Sequence, residues 1–521
     1  MKMDNKDKGK MLSVSLEFLG ATDGIVTGSA NLVTITRGDT IRKILVDFGC
    51  FQGEHEYMNE ERFINPDEVD CVILTHAHLD HCGGVPLLFV SDGEMIPFTG
   101  KIYGSRETLD QASHILRNAA KLNEERIRGY KSVYEHTKAS LAKDKEKATR
   151  EEAKPKDIAA IDSAVSCIEE EEKSVGYTME DVDEAIRHFY PIDFCRGRKE
   201  IVEQTLFEGI YARFIPTSHI NGSTMVEIVA TYGSEQYTIV FTGDIGKEST
   251  ILYRQMKFHP NTSANAIVME SLHGTDEPIE TLSESISLLK KIIRRAVKKQ
   301  KTVIIPTFAL DRSAGLIKIL NDFMDQGMYL QCFFDSSLAE TELRCYINSY
   351  LGETSAWFNY DQGYPFKLER FKIITNYQDH MLAAKYTGPN IFITASGMGF
   401  GGRVIDYFEH HIQSEDSIFV FPGFLTEGCP SRILLEANQG DMVEINGRRY
   451  IKHCETIQLH GFSSHGYFGD KLKILLNYPN AKTVFLNHGD DAGIYQLRGT
   501  LPMYTRANII VPEFGDHFVL L

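Results

Sequence analysis

Three histidines and an aspartate occupy six positions in the run Thr75-His76-Ala77-His78-Leu79-Asp80-His81. Imidazole nitrogen and carboxylate oxygen together suit a borderline-soft divalent cation such as zinc. Two histidines separated by one residue in an extended or loop backbone point the same way and can share one ion. Asp80 and His81, one step further on, can reach a second. A chance polar loop would carry one such side chain, not four.

Zinc needs further ligands from elsewhere in the chain. His219 in Pro216-Thr217-Ser218-His219-Ile220-Asn221-Gly222-Ser223 is one candidate. Asp244 in Phe241-Thr242-Gly243-Asp244-Ile245-Gly246 is a second; it lies between glycines after an apolar strand, where a turn can present a carboxylate at a sheet edge. His488 in Leu486-Asn487-His488-Gly489-Asp490, again at a strand end, is a third. Taken alone, each also fits an ordinary turn residue.

The elements that must position these residues show two different periods. Met11 to Leu19, Asn31 to Ile35, Lys43 to Asp47 and Val69 to Thr75 read as strands, followed later by Leu206 to Pro216 and Tyr237 to Thr242. Gly-rich turns between them suggest an antiparallel or mixed sheet. Arg106 to Ala185 is charged and poor in glycine, which predicts one or two solvated helices forming an inserted arm; Cys167 to Glu172 reads as an exposed helical face. From Leu282 the pattern changes. Leu282, Ile286, Leu289, Ile293 and Ala296 share one helical face, and Thr302–Phe308, Arg312–Phe323, Tyr329–Phe334, Asn390–Thr394 and Ser417–Phe421 alternate strand and helix, as in a parallel α/β unit. The strand-like Thr456–Leu459, a helix near Asp470–Leu476 and the strand Thr483–Leu486 close the chain.

A length of 521 residues predicts two or three domains, and 42% hydrophobic content excludes a disordered chain. The net charge of −17 sits badly with a nucleic-acid partner unless positive potential is concentrated locally. Nine scattered cysteines without a CxxC pair argue against a disulfide framework or a cysteine zinc site. With no apolar leader and no run long enough to span a bilayer, a cytoplasmic soluble protein without membrane association is expected.

HAHLDH with the downstream TSH and FTGDIG resembles the metallo-β-lactamase superfamily signature. Val46-Asp47-Phe48-Gly49-Cys50-Phe51-Gln52-Gly53 resembles its first motif, and Gly24 to Leu32 its opening hairpin. Val268 to Gly274, with Glu270, resembles motif A of the β-CASP branch; Gly461 to His465 resembles motif B, and Leu486 to Asp490 motif C. Pro306 to Ala309, Phe334 to Ala339 and Ala395 to Arg403 resemble segments of its inserted domain. The likeness runs from about residue 14 to 495, apart from the charged arm. Members include ribonuclease J and the endonuclease of mRNA cleavage and polyadenylation.

The resemblance implies an α/β protein: a metallo-β-lactamase αββα sandwich (11–275 and 451–521, with a helical insertion at about 106–190), an inserted parallel α/β β-CASP domain (276–450) and a loosely ordered tail (1–10). It implies two Zn²⁺ per chain, with His76, His78 and His219 holding one, Asp80, His81 and His488 the other, and Asp244 bridging. Asp47 resembles a residue that orients the ligand loop. Asp80, Glu270 and His465 are the expected catalytic residues, and RNA, single-stranded, the expected substrate, cut endonucleolytically or from the 5′ end to leave 5′-phosphate and 3′-hydroxyl ends. Relatives often form homodimers. RNA-acting members carry histidine in motif C, as His488 does here.

Departures from the pattern are Asp490 for Glu, His273 for Tyr, Pro430 in a loop usually Gly-Thr-Leu-Gly-Arg, and Asp311 in a helix-opening Gly-Arg; none removes a ligand. Arg312, Ser396 and Arg403 are expected substrate contacts, the two arginines because they sit beside helix starts. The stretch Lys290, Lys291, Arg294, Arg295, Lys298, Lys299 and Lys301 reads as a solvated helix face. Phe308 and Phe400 read as core residues, and His410 and His411 as surface or capping residues. The competing readings are a hydrolase of small esters or thioesters, against which the α/β insertion counts, and a non-catalytic RNA-binding scaffold, against which the complete ligand set counts.

Overall fold

Leu12, Val14, Leu16 and Phe18 are all buried and the residues between them half-buried, the period-two signature of a strand with one face in a core. The computed structural model of the protein describes residues 12–61, 63–90, 95–125, 176–194, 201–248, 250–254, 261–307, 311–336, 339–352 and 355–521. Among them are three large sheets. The first has seven strands in the order His517–Val519, Leu12–Phe18, Ala30–Arg37, Thr40–Phe48, Cys71–Ile73, Lys101–Ser105 and Phe189–Ile192. It is antiparallel through Thr40–Phe48 and parallel beyond it.

The second sheet, also seven-stranded, runs Asn508–Ile510, Thr483–Asn487, Ala266–Glu270, Glu235–Phe241, Thr224–Tyr232, Ile210–Pro216 and Val202–Phe207. The two sheets share one core, where Val14, Leu16 and Phe18 meet Phe214, Ile228 and Ile239. The outer face of the first sheet is covered by a helix at residues 106–125 and by Met179–Arg187. Helices Phe468–Asn477 and Asp491–Thr500 cover the second. The result is the expected αββα sandwich.

The third sheet has six strands, all pairing parallel: Phe371–Ile374, Gln331–Asp335, Asn390–Thr394, Thr302–Pro306, Ser417–Pro422 and Glu455–Leu459. Its central strands are buried on both faces, as helix-covered parallel strands must be. Helix Leu282–Lys299 opens with a reciprocal Thr281/Glu284 capping box and ends at Gln300 in the left-handed region (φ 56°). It buries Leu289, Ile292, Ile293 and Ala296 and leaves Lys291, Arg294, Arg295, Lys298 and Lys299 in solvent, as expected of its basic face.

Trp357, the one tryptophan of the chain, links the α/β part to the sandwich. It is fully buried, and its indole N–H donates to Ser223 O at 2.9 Å. Ser349 Oγ donates to Asn221 Oδ1 at 3.0 Å in the same turn, which also carries His219.

Three expectations change. The segment beginning at Arg106 is not a solvated arm at its start: Leu109, Ala112, Leu116 and Ala120 pack beneath the first sheet, because charged residues fill only the other face of that helix. Its far end, helix Met179–Arg187, likewise buries Val182 and Ala185. Residues 126–175 between them, including Cys167–Glu172, lie outside the described residues, as does Phe308. Phe400 is 63% exposed rather than in the core, held out on a glycine-rich loop. His411 is fully buried; its Nε2 donates to Ala384 O and its Nδ1 accepts from Ser417 Oγ, so hydrogen bonds offset its desolvation, while His410 is exposed.

Candidate metal centre and the cleft beside it

Every residue of the expected ligand set stands at or just beyond a strand end on one edge of the sandwich. His76, His78, Asp80 and His81 follow Cys71–Ile73; His219 lies in the turn after Ile210–Pro216; Asp244 follows Glu235–Phe241; His488 follows Thr483–Asn487. Close backbone packing holds these loops together. A Cβ on Gly246 would fall 2.3 Å from His219 N, and on Gly49 1.7 Å from Asp80 O, so only glycine lets the strands approach this far. Asp47 and His488 hold φ of 59° and 48°, a conformation uncommon for non-glycine residues and costing about 1 kcal/mol or more each.

Two groups of ligand atoms result. In the first, His78 Nδ1 is 3.1 Å from His76 Nε2 and 3.2 Å from His219 Nε2. Asp244 Oδ2 lies 3.5 Å from His76 Nε2 and 3.3 Å from His219 Nε2. In the second, His81 Nε2 and His488 Nε2 are 3.1 Å apart, with Asp80 Oδ2 3.4 Å from His488 Nε2. Asp244 Oδ1 is 3.0 Å from His81 Nε2 and 3.5 Å from His488 Nε2. The two oxygens of Asp244 thus face different groups, as a bridging carboxylate requires.

The donor set fits divalent metal. Ligands about 2.0–2.1 Å from a tetrahedral zinc lie roughly 3.3 Å from one another, close to the separations above. Asp244 Oδ1 is buried yet accepts no hydrogen bond among the described residues. Burial, together with neighbouring imidazoles, holds His76 and His219 well below the usual histidine range. Burial likewise brings His78 down to about 4, the nearby carboxylates notwithstanding. Neutral rings facing each other through lone pairs repel unless a cation lies between them. In the second group burial opposes charge, but Asp244 and Asp47 overcome it and raise His81 well above its ordinary value. Burial also opposes the Asp80 carboxylate; a hydrogen bond from His488 and the charge of His81 outweigh it and bring Asp80 down to about 2. Metal binding there displaces protons.

Asp47 fixes the orientation of two rings. Its carboxylate accepts from Thr75 N (2.8 Å), Thr75 Oγ1 (2.8 Å) and His81 Nδ1 (2.8 Å). Thr75 Oγ1, having donated its proton to Asp47, accepts from His76 Nδ1 at 3.1 Å. Both histidines therefore present Nε2 lone pairs to the centre.

Beside the metal groups, His465 Nδ1 donates to Glu270 Oε1 at 2.6 Å, and the other Glu270 oxygen accepts from Ile245 N. Gly246 and His465 form an isolated β-bridge, which brings motif B alongside the Asp244 loop. Asp244, Glu270 and His488 also cluster closely enough for a shared ion, but both Glu270 oxygens already have N–H donors.

A cleft opens next to His219, between the sandwich and the parallel sheet. Lys247, Tyr253, Arg312, Phe462 and Ser463 help to line it. Arg312 thus stands at the cleft, beside Asp311. Arg403 is placed differently: its Nη1 donates to Asp335 Oδ1 (2.5 Å) and Ile374 O (2.6 Å), and its Nη2 to Thr375 O (2.7 Å). Ser396 Oγ donates to Gly401 O at 3.0 Å within its own loop.

The departures have local roles. Asp490 caps helix Asp491–Thr500 by accepting from Gly493 N, Pro430 is the first residue of its helix, and Asp311 accepts from the hydroxyls of Tyr253 and Tyr346. His273 stacks on Tyr467 at 4.8 Å. Lys247 went unmarked in the sequence; its only signal was its place three residues after Asp244.

An αββα sandwich with seven convergent side chains able to hold metal at one edge defines a metallohydrolase-type site. The metallo-beta-lactamase superfamily model matches residues 26–90 and the Beta-Casp domain model residues 315–434, so the chain carries a β-CASP domain on a metallo-β-lactamase fold. It is 25% identical over 495 residues to Ribonuclease TTHA0252 of Thermus thermophilus, covering 94% of this chain and 96% of that one. It is 24% identical to Probable RNase MJ4 of Methanocaldococcus jannaschii, covering 91% and 94%. Against Transcription termination factor FttA of Methanococcus maripaludis it is 24% identical over 88% of this chain but spans only 65% of that protein. No helix among the described residues is long and apolar enough to cross a membrane.

Proposed function

We propose that the protein is a metal-dependent ribonuclease that hydrolyses RNA phosphodiesters to 5′-phosphate and 3′-hydroxyl ends, using two Zn²⁺ per chain. The observation that carries this reading is the paired arrangement of ligand atoms on the two oxygens of Asp244. The ribonuclease names of relatives matched over nearly their whole length supply the substrate class. His76, His78 and His219 would hold one ion and Asp80, His81 and His488 the other. Bound there, the ions supply Lewis acidity and an activated water at neutral pH.

The protein's own side chains account for the rest. Asp47 orients the rings of His76 and His81. Glu270 holds His465 by Nδ1, so its Nε2 is the atom that can carry a proton to the departing 3′-oxygen. Arg312 contributes positive charge to the cleft. The proposed domains are a sandwich of 11–275 and 451–521 and a β-CASP unit of 276–450. Free cysteines at all seven described positions accord with a reducing, cytoplasmic setting.

The test is incubation of the metal-loaded chain with 5′-labelled and, separately, 3′-labelled single-stranded RNA, with metal analysis and an Asp80→Ala control. Cleavage abolished by a chelator and in the control is the expected result. The pattern of the two labels separates internal cutting from stepwise 5′ attack. A chain that purifies without metal and leaves both RNAs intact would overturn the reading.

A further inference from the structure

The proposed site poses an electrostatic problem. The chain carries a net charge of −17, and Asp47, Asp80, Asp244 and Glu270 crowd the centre itself. RNA approaches through its phosphates, and only the scissile one can be neutralised by metal. The phosphates on either side need cations of the protein's own.

Lys247 is placed to supply one. It immediately follows Gly246, which is packed against the backbone of Ser218 and His219 and paired with His465. Its backbone carbonyl accepts from Ser218 Oγ at 2.6 Å, tying it to the loop of a metal-binding histidine. Lys247 lines the cleft that His219, Arg312 and Ser463 also line.

The ammonium's partners are neutral. Nζ donates to Gly461 O at 3.1 Å and lies 4.9 Å from the centre of the Tyr467 ring. Among the described residues no carboxylate comes within ion-pair distance of it. Asp470, whose field reaches it, is engaged instead by the N–H groups of Glu248 and Tyr467. An ammonium has three donors, and among the described residues one is taken. Burial brings Lys247 down to about 8; the charge of Asp470 opposes the shift and that of Arg312 adds to it. Asp311, the carboxyl that lines the same cleft, already takes two tyrosine hydroxyls.

We infer that Lys247 is a positioning residue that binds the RNA phosphate next to the scissile one, from its place on the Asp244 loop in the cleft beside His219 and Arg312 and from its lack of a carboxylate partner. This rests on the ribonuclease reading above. Phosphate on Lys247 would hold the strand in line with the metal groups and leave bond breaking to them.

The test compares the metal-loaded wild type with Lys247→Met and Lys247→Arg, using a short single-stranded RNA over a range of salt concentrations. Loss of one charged hydrogen bond should raise KM roughly tenfold or more in Lys247→Met, with a smaller change in kcat. The slope of log KM against log salt should fall by about 0.7, the increment for one phosphate contact on a single strand. Lys247→Arg should restore both. A purely structural role would leave the salt slope alone. Metal content measured on each variant confirms that the centre is intact. If the wild type cleaves RNA and Lys247→Met keeps its KM and salt slope, the inference falls by itself. A Lys247→Met variant that loses metal is replaced by Lys247→Arg, which overturns the inference if it retains metal but shows a changed slope. A wild type that loads metal and cleaves no RNA removes the ribonuclease reading, and the inference with it.

Discussion

Two clusters in this protein are built from buried histidine and aspartate, and they are chemically opposite. At the sandwich edge, five imidazoles and two aspartates converge with nitrogens 3.1–3.2 Å apart, and Asp244 Oδ1 accepts no hydrogen bond among the described residues. At the carboxyl end of the parallel sheet, His380 donates from Nδ1 to Asp335 (2.8 Å) and from Nε2 to Asp406 (2.9 Å). Tyr407 OH and Arg403 also donate to Asp335, at 2.7 and 2.5 Å. Every acceptor in that second group that faces inward has a donor. The same residue types therefore make an incomplete centre in one place and a closed network in the other. What separates them is the count of protons against lone pairs, which residue composition does not reveal.

The largest break in this comparison is expected from Asp244→Ala, which removes the carboxylate shared by both groups. RNA turnover should fall roughly 10³-fold or more, with loss of bound metal by elemental analysis. Turnover within tenfold of wild type would mean that Asp244 does not unite the centre. Next, His465→Ala should lower turnover by about 10²–10⁴-fold while two metals per chain remain. If metal were lost as well, His465 would be a ligand instead.

The closed network should respond in stability. His380→Ala leaves Asp335 and Asp406 short of a donor and should cost about 3 kcal/mol, read from thermal or denaturant unfolding, with metal content unchanged. Burial opposes charge on His380, but Asp335 and Asp406 prevail and raise it above its ordinary 6.5. A raised folded-state value means the contribution is complete below pH 6.5 and disappears as pH rises through the folded-state value. The gap between wild type and variant should therefore narrow on going alkaline; a gap that widens would refute the charged pairing.

Glu107 sharpens the contrast with the smallest effect. It is 4% exposed, its Oε2 has no partner among the described residues, and burial pushes it up to about 8. Wild type should lose stability as pH rises from about 4.5 to 8, where the unfolded carboxyl ionises and the folded one does not. Glu107→Gln should escape that loss and be more stable at pH 9 by on the order of 2 kcal/mol. Equal melting curves at pH 5 and pH 9 for the two proteins would count against it.

Legibility in the sequence followed the range of the interactions involved. The His76–His81 cluster could be read directly because its ligands are neighbours on one loop after one strand. Strands such as Leu12–Phe18 and helix Leu282–Lys299 could be read because their periods and caps are local. Where Arg403, Phe400 and His411 would sit could not, because a salt bridge to Asp335, a glycine loop and a core hydrogen bond to Ala384 all depend on distant chain.

By itself the amino-acid order determined which side chains could bind metal and which segments would be strands or helices, since both depend on chemistry within a few residues. Only the folded molecule decided that Asp244 turns one oxygen to each group, that Glu270 grips His465, and that Lys247 lines the cleft. Those facts arise from strand ends brought to one edge by two sheets sharing a core, across separations of up to about four hundred residues along the chain.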